Sequence, residues 1–122
     1  MDPRQLSPLT LAFIGDGVFD LFVREQLVCK ANCPVKVLHK NTVQRVCCQA
    51  QAKAMETLLP LLTEEEADVY RRGRNAHTSH TPKNATPAEY HAATGFEALV
   101  GYLYLKGEIE RLREFFALIC EP

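Results

Sequence analysis

The sequence predicts an all-α fold, a helical bundle of five or six helices. Three observations predict it. Apolar residues recur at three- and four-residue spacing through most of the chain, cap signals open several of these segments, and no segment alternates with the period of a strand. The chain has 122 residues, 47% of them apolar and 24% charged, which suffices for one buried core and not for two ordinary ones. We therefore read residues 1–122 as a single domain. The formal net charge is −1, so any nucleic-acid surface must be a local basic patch.

The first helix is expected from about Ser7 to Lys30, with Ser7 as cap and Pro8 at the first helical position. Leu11, Ile14, Val18, Leu21 and Phe22 mark its periodic stripe. Gly15 and Gly17 flank Asp16 inside it, each weakening a helix by ~1 kcal/mol relative to Ala. Glycines in that position imply close packing or a polar approach that larger side chains would block. A break at Asn32-Cys33-Pro34 leads to a second helix, from Pro34 to about Leu58, which Pro60 ends. Its stripe is Val35, Leu38, Thr42, Val46, Gln49, Ala50 and Met55. Its basic side is Lys36, Lys40, Arg45 and Lys53.

Thr63-Glu64-Glu65-Glu66 reads as a capping box opening a third helix, which runs to about Arg74. Asn75 to Thr86 is the one long polar stretch and is expected to be an exposed loop. Thr86-Pro87 then opens a helix that Gly107 stops after Lys106, and a last helix from Glu108 to Cys120 shows Ile109, Leu112, Phe115, Phe116 and Ile119 on one face.

Several function classes drop out. No basic n-region precedes a long apolar run, so no signal peptide is expected, and charges interrupt every apolar stretch before it could cross a bilayer. A soluble, cytoplasmic protein is the expectation. The cysteines number five, an odd count that argues against a disulfide framework. Cys29 and Cys33 lack a second pair at zinc-ligand spacing and read as reduced, small apolar residues. His77 and His80 fall in the polar stretch and read as solvated rather than as a catalytic pair. Tyr90, Tyr102 and Tyr104 read as core or interface residues.

Two residues do not fit a plain bundle. Asp16 in Phe13-Ile14-Gly15-Asp16-Gly17-Val18 and Glu97 in Gly95-Phe96-Glu97-Ala98-Leu99-Val100-Gly101 are carboxylates in apolar, glycine-lined helical segments. A charge set against a core is costly unless paired or metal-bound. Two carboxylates on two core helices could hold a hard cation, for which magnesium needs few protein oxygens and keeps several waters. On spacing alone the other reading also stands, in which each carboxylate pairs with an arginine or caps a helix. Asp20 lies one turn past Asp16 and reads as a surface ion-pair partner rather than a support for the metal.

Leu11 to Asp20 resembles the signature helix of the ribonuclease III family, and Thr94 to Leu105 resembles its second motif. Tyr70-Arg71-Arg72-Gly73-Arg74-Asn75-Ala76 is similar to a motif of the compact Mini-ribonuclease III branch, which has the catalytic domain and no double-stranded-RNA-binding domain. The resemblance implies a homodimer and magnesium-dependent hydrolysis of duplex RNA, with manganese as a substitute ion. It places Asp16 and Glu97 as the catalytic, metal-holding pair and implies products with a 5′-phosphate and a 3′-hydroxyl. It points to precursor large-subunit (23S) ribosomal RNA as substrate and leaves room for a ribosomal-protein helper. Arg71, Arg72, Arg74, Asn75 and Lys83 are the expected RNA contacts, suited to phosphates and 2′-hydroxyls of a duplex. Lys36, Lys40 and Arg45 would extend that surface. Larger family members carry further acidic residues where this chain has Ala12 and Thr94, a departure the compact branch shares. Those losses keep an alternative in view, a catalytically inactive duplex-RNA-binding or dimerisation module on the same fold.

Overall fold

The structure, a computed structural model, describes residues 1–76 and 85–120. Among these residues there are six α-helices and no strand: α1 (Pro8–Lys30), α2 (Val35–Val46), α3 (Cys48–Leu58), α4 (Glu64–Arg74), α5 (Pro87–Lys106) and α6 (Ile109–Ile119). Short 3-10 turns precede α1 and follow α3. The all-α expectation holds, and none of the described helices is long and apolar enough to cross a membrane.

The caps form as the sequence implies. The Ser7 hydroxyl accepts from the Thr10 amide at the start of α1, and Thr63 and Glu66 close a reciprocal box at the start of α4. Glu89 completes a second box with Thr86 at the start of α5, within the Thr86-Pro87-Ala88-Glu89 segment read as a helix start. Gly107 ends α5 in the left-handed region at φ 85°, where a Cβ is disfavoured.

Helix α5 is the axis of the bundle. From Ala93 to Leu103 every residue except Glu97 is buried, with α1, α3, α4 and α6 packed around it. Such all-round burial explains why its sequence is apolar on most sides rather than on one stripe. Phe19 of α1 meets Phe96 of α5 edge to face at 4.9 Å, in the arrangement that aromatic quadrupoles favour. Between these helices the backbones touch. A Cβ at Gly15 would fall 1.8 Å from the Glu97 carbonyl oxygen, and one at Gly101 would fall 2.0 Å from that of Leu11. Gly17, by contrast, faces open space, so the close packing implied for both flanking glycines applies to Gly15 alone.

The single helix expected from Pro34 to Leu58 is two. Cys47 is extended (φ −69°, ψ 162°), ending α2 and starting α3. No Gly or Pro marks the break. Instead the Gln51 side-chain amide donates to the Val46 carbonyl at 3.1 Å, satisfying an acceptor that the end of α2 leaves open. The extended residue resets the helical phase, so past it the expected stripe is kept only in part: Met55 is buried as expected and Gln49 is exposed. Gln51 is buried where Gln49 was expected, and Val35 lies exposed at the other end.

Candidate active site

Asp16 and Glu97 reach each other because α1 and α5 are in backbone contact at Gly15. The side chain following Gly15 on α1 and the side chain of Glu97 on α5 emerge at the same seam. They border an open pocket of about 480 Å³, whose wall also includes Ala12, Cys48, Gln51 and Thr94. Asp16 is exposed on the rim, whereas Glu97 is half-buried.

The electrostatics follow from that placement. Burial disfavours the charged form of Glu97, and the adjacent Asp16 carboxyl adds a hydrogen bond to the protonated form and a like-charge repulsion; together they push Glu97 up to about 8. The Gln51 amide acts the other way, donating to Glu97 Oε2 at 3.4 Å. Without a cation Glu97 is therefore largely protonated near neutral pH. A divalent cation could take the place of that proton, and the donor set suits a hard one. Asp16 and Glu97 both offer carboxylate oxygens, the donors a hard divalent cation takes.

Ala12 and Thr94, at the positions where larger family members are acidic, both lie on the pocket wall. The Thr94 hydroxyl donates to the Tyr90 carbonyl at 3.0 Å. Cys48 also faces the pocket, and burial followed by the Glu97 charge raises its thiol. Gln51 and Cys48 went unnoticed in the sequence because the phase reset at Cys47 carries no local signal. Tyr90 lines the same pocket and is not a core residue, Tyr102 is buried, and Tyr104 is exposed.

The expected RNA contacts lie apart from one another in character. Arg71 is exposed and paired with Asp68 at 2.5 Å, Arg74 sits over the Tyr70 ring at 5.9 Å, and Arg72 is half-buried. Asn75 is exposed and caps α4, its amide donating to the Arg71 carbonyl. Lys83, with His77 and His80, lies outside the described residues. Asp20 pairs with Arg24 at 2.8 Å one turn along α1, as expected. Arg45 is half-buried, and its guanidinium donates to Gln26 Oε1 at 2.8 Å.

Residues 9–108 match the Ribonuclease III domain family. The chain is 52% identical over 113 residues to the Mini-ribonuclease 3 of a Thermoanaerobacter species, covering 93% of this chain and 80% of that protein. It is 53% identical over 113 residues to the Mini-ribonuclease 3 of Symbiobacterium thermophilum, covering 93% and 87%. A crystal structure of a Fusobacterium nucleatum protein superposes with a TM-score of 0.89 at 28% identity, covering 98% of this chain and 96% of that one. With a match over most of its length and the paired carboxylates at the α1–α5 seam, the chain belongs to the ribonuclease III family.

Proposed function

We propose that this endoribonuclease cleaves double-stranded RNA with a magnesium ion held by Asp16 and Glu97. The observation that carries the reading is the contact between these two carboxyls at an open pocket, an arrangement unfavourable for two charges unless a cation separates them. A bound divalent cation supplies a water of lowered pKa and offsets the charge that develops on the phosphoryl group. Asp16, on the rim, and Glu97, deeper, would hold such a cation. Hydrolysis joins the water oxygen to phosphorus and breaks the bond to O3′, leaving a 5′-phosphate and a 3′-hydroxyl. Manganese, also a hard dication, is expected to substitute.

Arg71, Arg72, Arg74 and Asn75, at the end of α4, are assigned to the duplex backbone, together with Lys83. Two copies of the chain would place one pocket against each strand. The family resemblance supports precursor 23S ribosomal RNA as the substrate, cut near its mature ends in the cytoplasm, with a ribosomal protein as a candidate helper.

The test is cleavage of labelled duplex RNA in magnesium. Asp16→Asn and Glu97→Gln are each expected to lower kcat at least about 10³-fold, a loss comparable to removing a principal charge-stabilising group, while circular dichroism stays unchanged. Arg74→Ala is expected to weaken duplex binding in a gel shift without altering the magnesium concentration that half-activates the enzyme. Duplex binding without cleavage by the unmodified protein, across several duplexes, would favour the inactive binding module that Ala12 and Thr94 keep in view.

A further inference from the structure

Gln51 is a neutral polar side chain that donates to Glu97 of the carboxylate pair, and its amide is not free to turn. It is 2% exposed, and a buried amide is costly unless its groups are bonded. One hydrogen of Nε2 goes to the Val46 carbonyl at 3.1 Å and the other points to Glu97 Oε2 at 3.4 Å. A carbonyl only accepts, so rotating the amide by half a turn would set Oε1 against the Val46 oxygen. The end of α2 therefore decides which face of the amide looks at Glu97, and that face is a donor. The break at Cys47 brings this about, because it both frees the Val46 carbonyl and turns the first turn of α3 toward α5.

We propose that Gln51 is a positioning residue for the cation site: held by the Val46 carbonyl, it anchors Glu97 Oε2 and leaves the remaining lone pairs of Glu97 facing Asp16 and the pocket. This rests on the Asp16–Glu97 site proposed above. A neutral donor is the group the task requires. Lysine or arginine in the same place would pair with Glu97 and compete with the cation, whereas an amide orients the carboxylate and leaves its charge for the metal. A site with only two carboxylates depends on each being aimed, since no third acidic ligand compensates for a swung side chain. The 3.4 Å separation is long for a hydrogen bond and has room to tighten once Glu97 carries its full charge.

The experiment is Mn²⁺ binding to the purified protein without RNA, followed by electron paramagnetic resonance of free Mn²⁺, so that no catalytic turnover is read. Gln51→Met keeps the length and bulk of the side chain and removes the donor. We expect it to weaken Mn²⁺ about 10- to 100-fold, the range typical for a group that orients a ligand, with duplex binding in a chelator unchanged. Parent-like Mn²⁺ affinity in folded Gln51→Met overturns the assignment to Gln51. If Gln51→Met does not fold, Gln51→Asn decides the matter: its amide is one methylene too short to reach both acceptors. The same weakening in that variant supports the proposal, and parent-like affinity overturns it. Asp16→Asn distinguishes the two levels of the claim. If it binds Mn²⁺ as the parent does, the cation lies elsewhere and the site and the role of Gln51 fall together.

Discussion

A Cβ at Gly15 would lie 1.8 Å from the Glu97 carbonyl oxygen and 2.8 Å from the Gly101 backbone nitrogen, both backbone atoms that cannot turn aside. Gly15→Ala must therefore push α1 away from α5 at the point where Asp16 and Glu97 meet. We expect a loss of ~3 kcal/mol in chemical denaturation, the upper range for overpacking, together with weaker metal binding. Gly17→Ala, two residues along the same helix, meets nothing within 4 Å of its own chain and should not lose stability; an equal loss at both positions would sink the explanation. Glu97 gives a pH signature with a definite sign. Its folded value, raised from 4.5 to about 8, means that the folded protein holds a proton the unfolded chain has released. That contribution is fully present below about pH 4.5 and is lost as the pH climbs toward 8. Denaturation of the metal-free protein should show stability falling across this window, less so in Glu97→Gln, with added Mg²⁺ stabilising most at the alkaline end. A slope unchanged by Glu97→Gln would remove Glu97 as its source. The sequence exposes Asp16 and Glu97 because a carboxylate interrupts an apolar helical phase in each case. It conceals Gln51, whose phase is set by a break that no glycine or proline announces.

Between elements, one ion pair joins parts of the chain that sequence reading leaves unrelated. Arg111 of α6 donates to both carboxylate oxygens of Glu66 at 2.8 Å and to the Leu61 carbonyl at 2.9 Å, and its guanidinium lies 4.5 Å from the centre of the Phe115 ring. The Glu66 side chain is only 5% exposed. Burial pushes its pKa up, but the Arg111 and Thr63 hydrogen bonds outweigh this and hold it below the usual carboxylate value. Arg111→Met keeps much of the stem and strands that carboxylate in the interior. We expect a loss of ~3 kcal/mol near neutral pH, the lower end for breaking one side of a buried pair. The native pair stabilises above the unfolded value of about 4.5 and fades as the pH falls through the lowered one, so the deficit of Arg111→Met should shrink in acid. A deficit that persists at low pH would point to lost packing on Phe115 instead. The capping box around Thr63 and Glu66 was readable because it spans four residues. The tie to Arg111 spans 45 and depends on how α4 and α6 lie over the bundle, which no local pattern encodes. For the same reason five helical segments were legible and the division of one of them into α2 and α3 was not.

Across the whole molecule, α1 presents an apolar surface that the described residues leave uncovered. Phe13 is 83% exposed, Leu21 65%, and Leu9 and Val28 are also exposed. With Gly17 these positions fall on one side of the helix, at the four- and seven-residue spacing of a single stripe. A lone exposed leucine needs no explanation, but several large apolar side chains exposed on one helix face of a small domain mark a surface suited to a partner. Asp16 shares this side of α1, and Leu9 and Phe13 border the pocket with it. A second copy packed on the stripe would thus lie beside the carboxylate pair, and two such pockets could face opposite strands of one duplex. The prediction is that the protein is a dimer through α1. Phe13→Asp places a charge in the middle of the stripe and should give a monomer in sedimentation equilibrium at micromolar concentration. Because Phe13 is almost wholly exposed in the single chain, the variant should keep its helical circular dichroism while losing double-strand cleavage. An unchanged dimer in Phe13→Asp would move the interface off α1. A monomer that still cuts both strands at the parent rate would separate dimerisation from cleavage and remove the two-pocket account of the duplex.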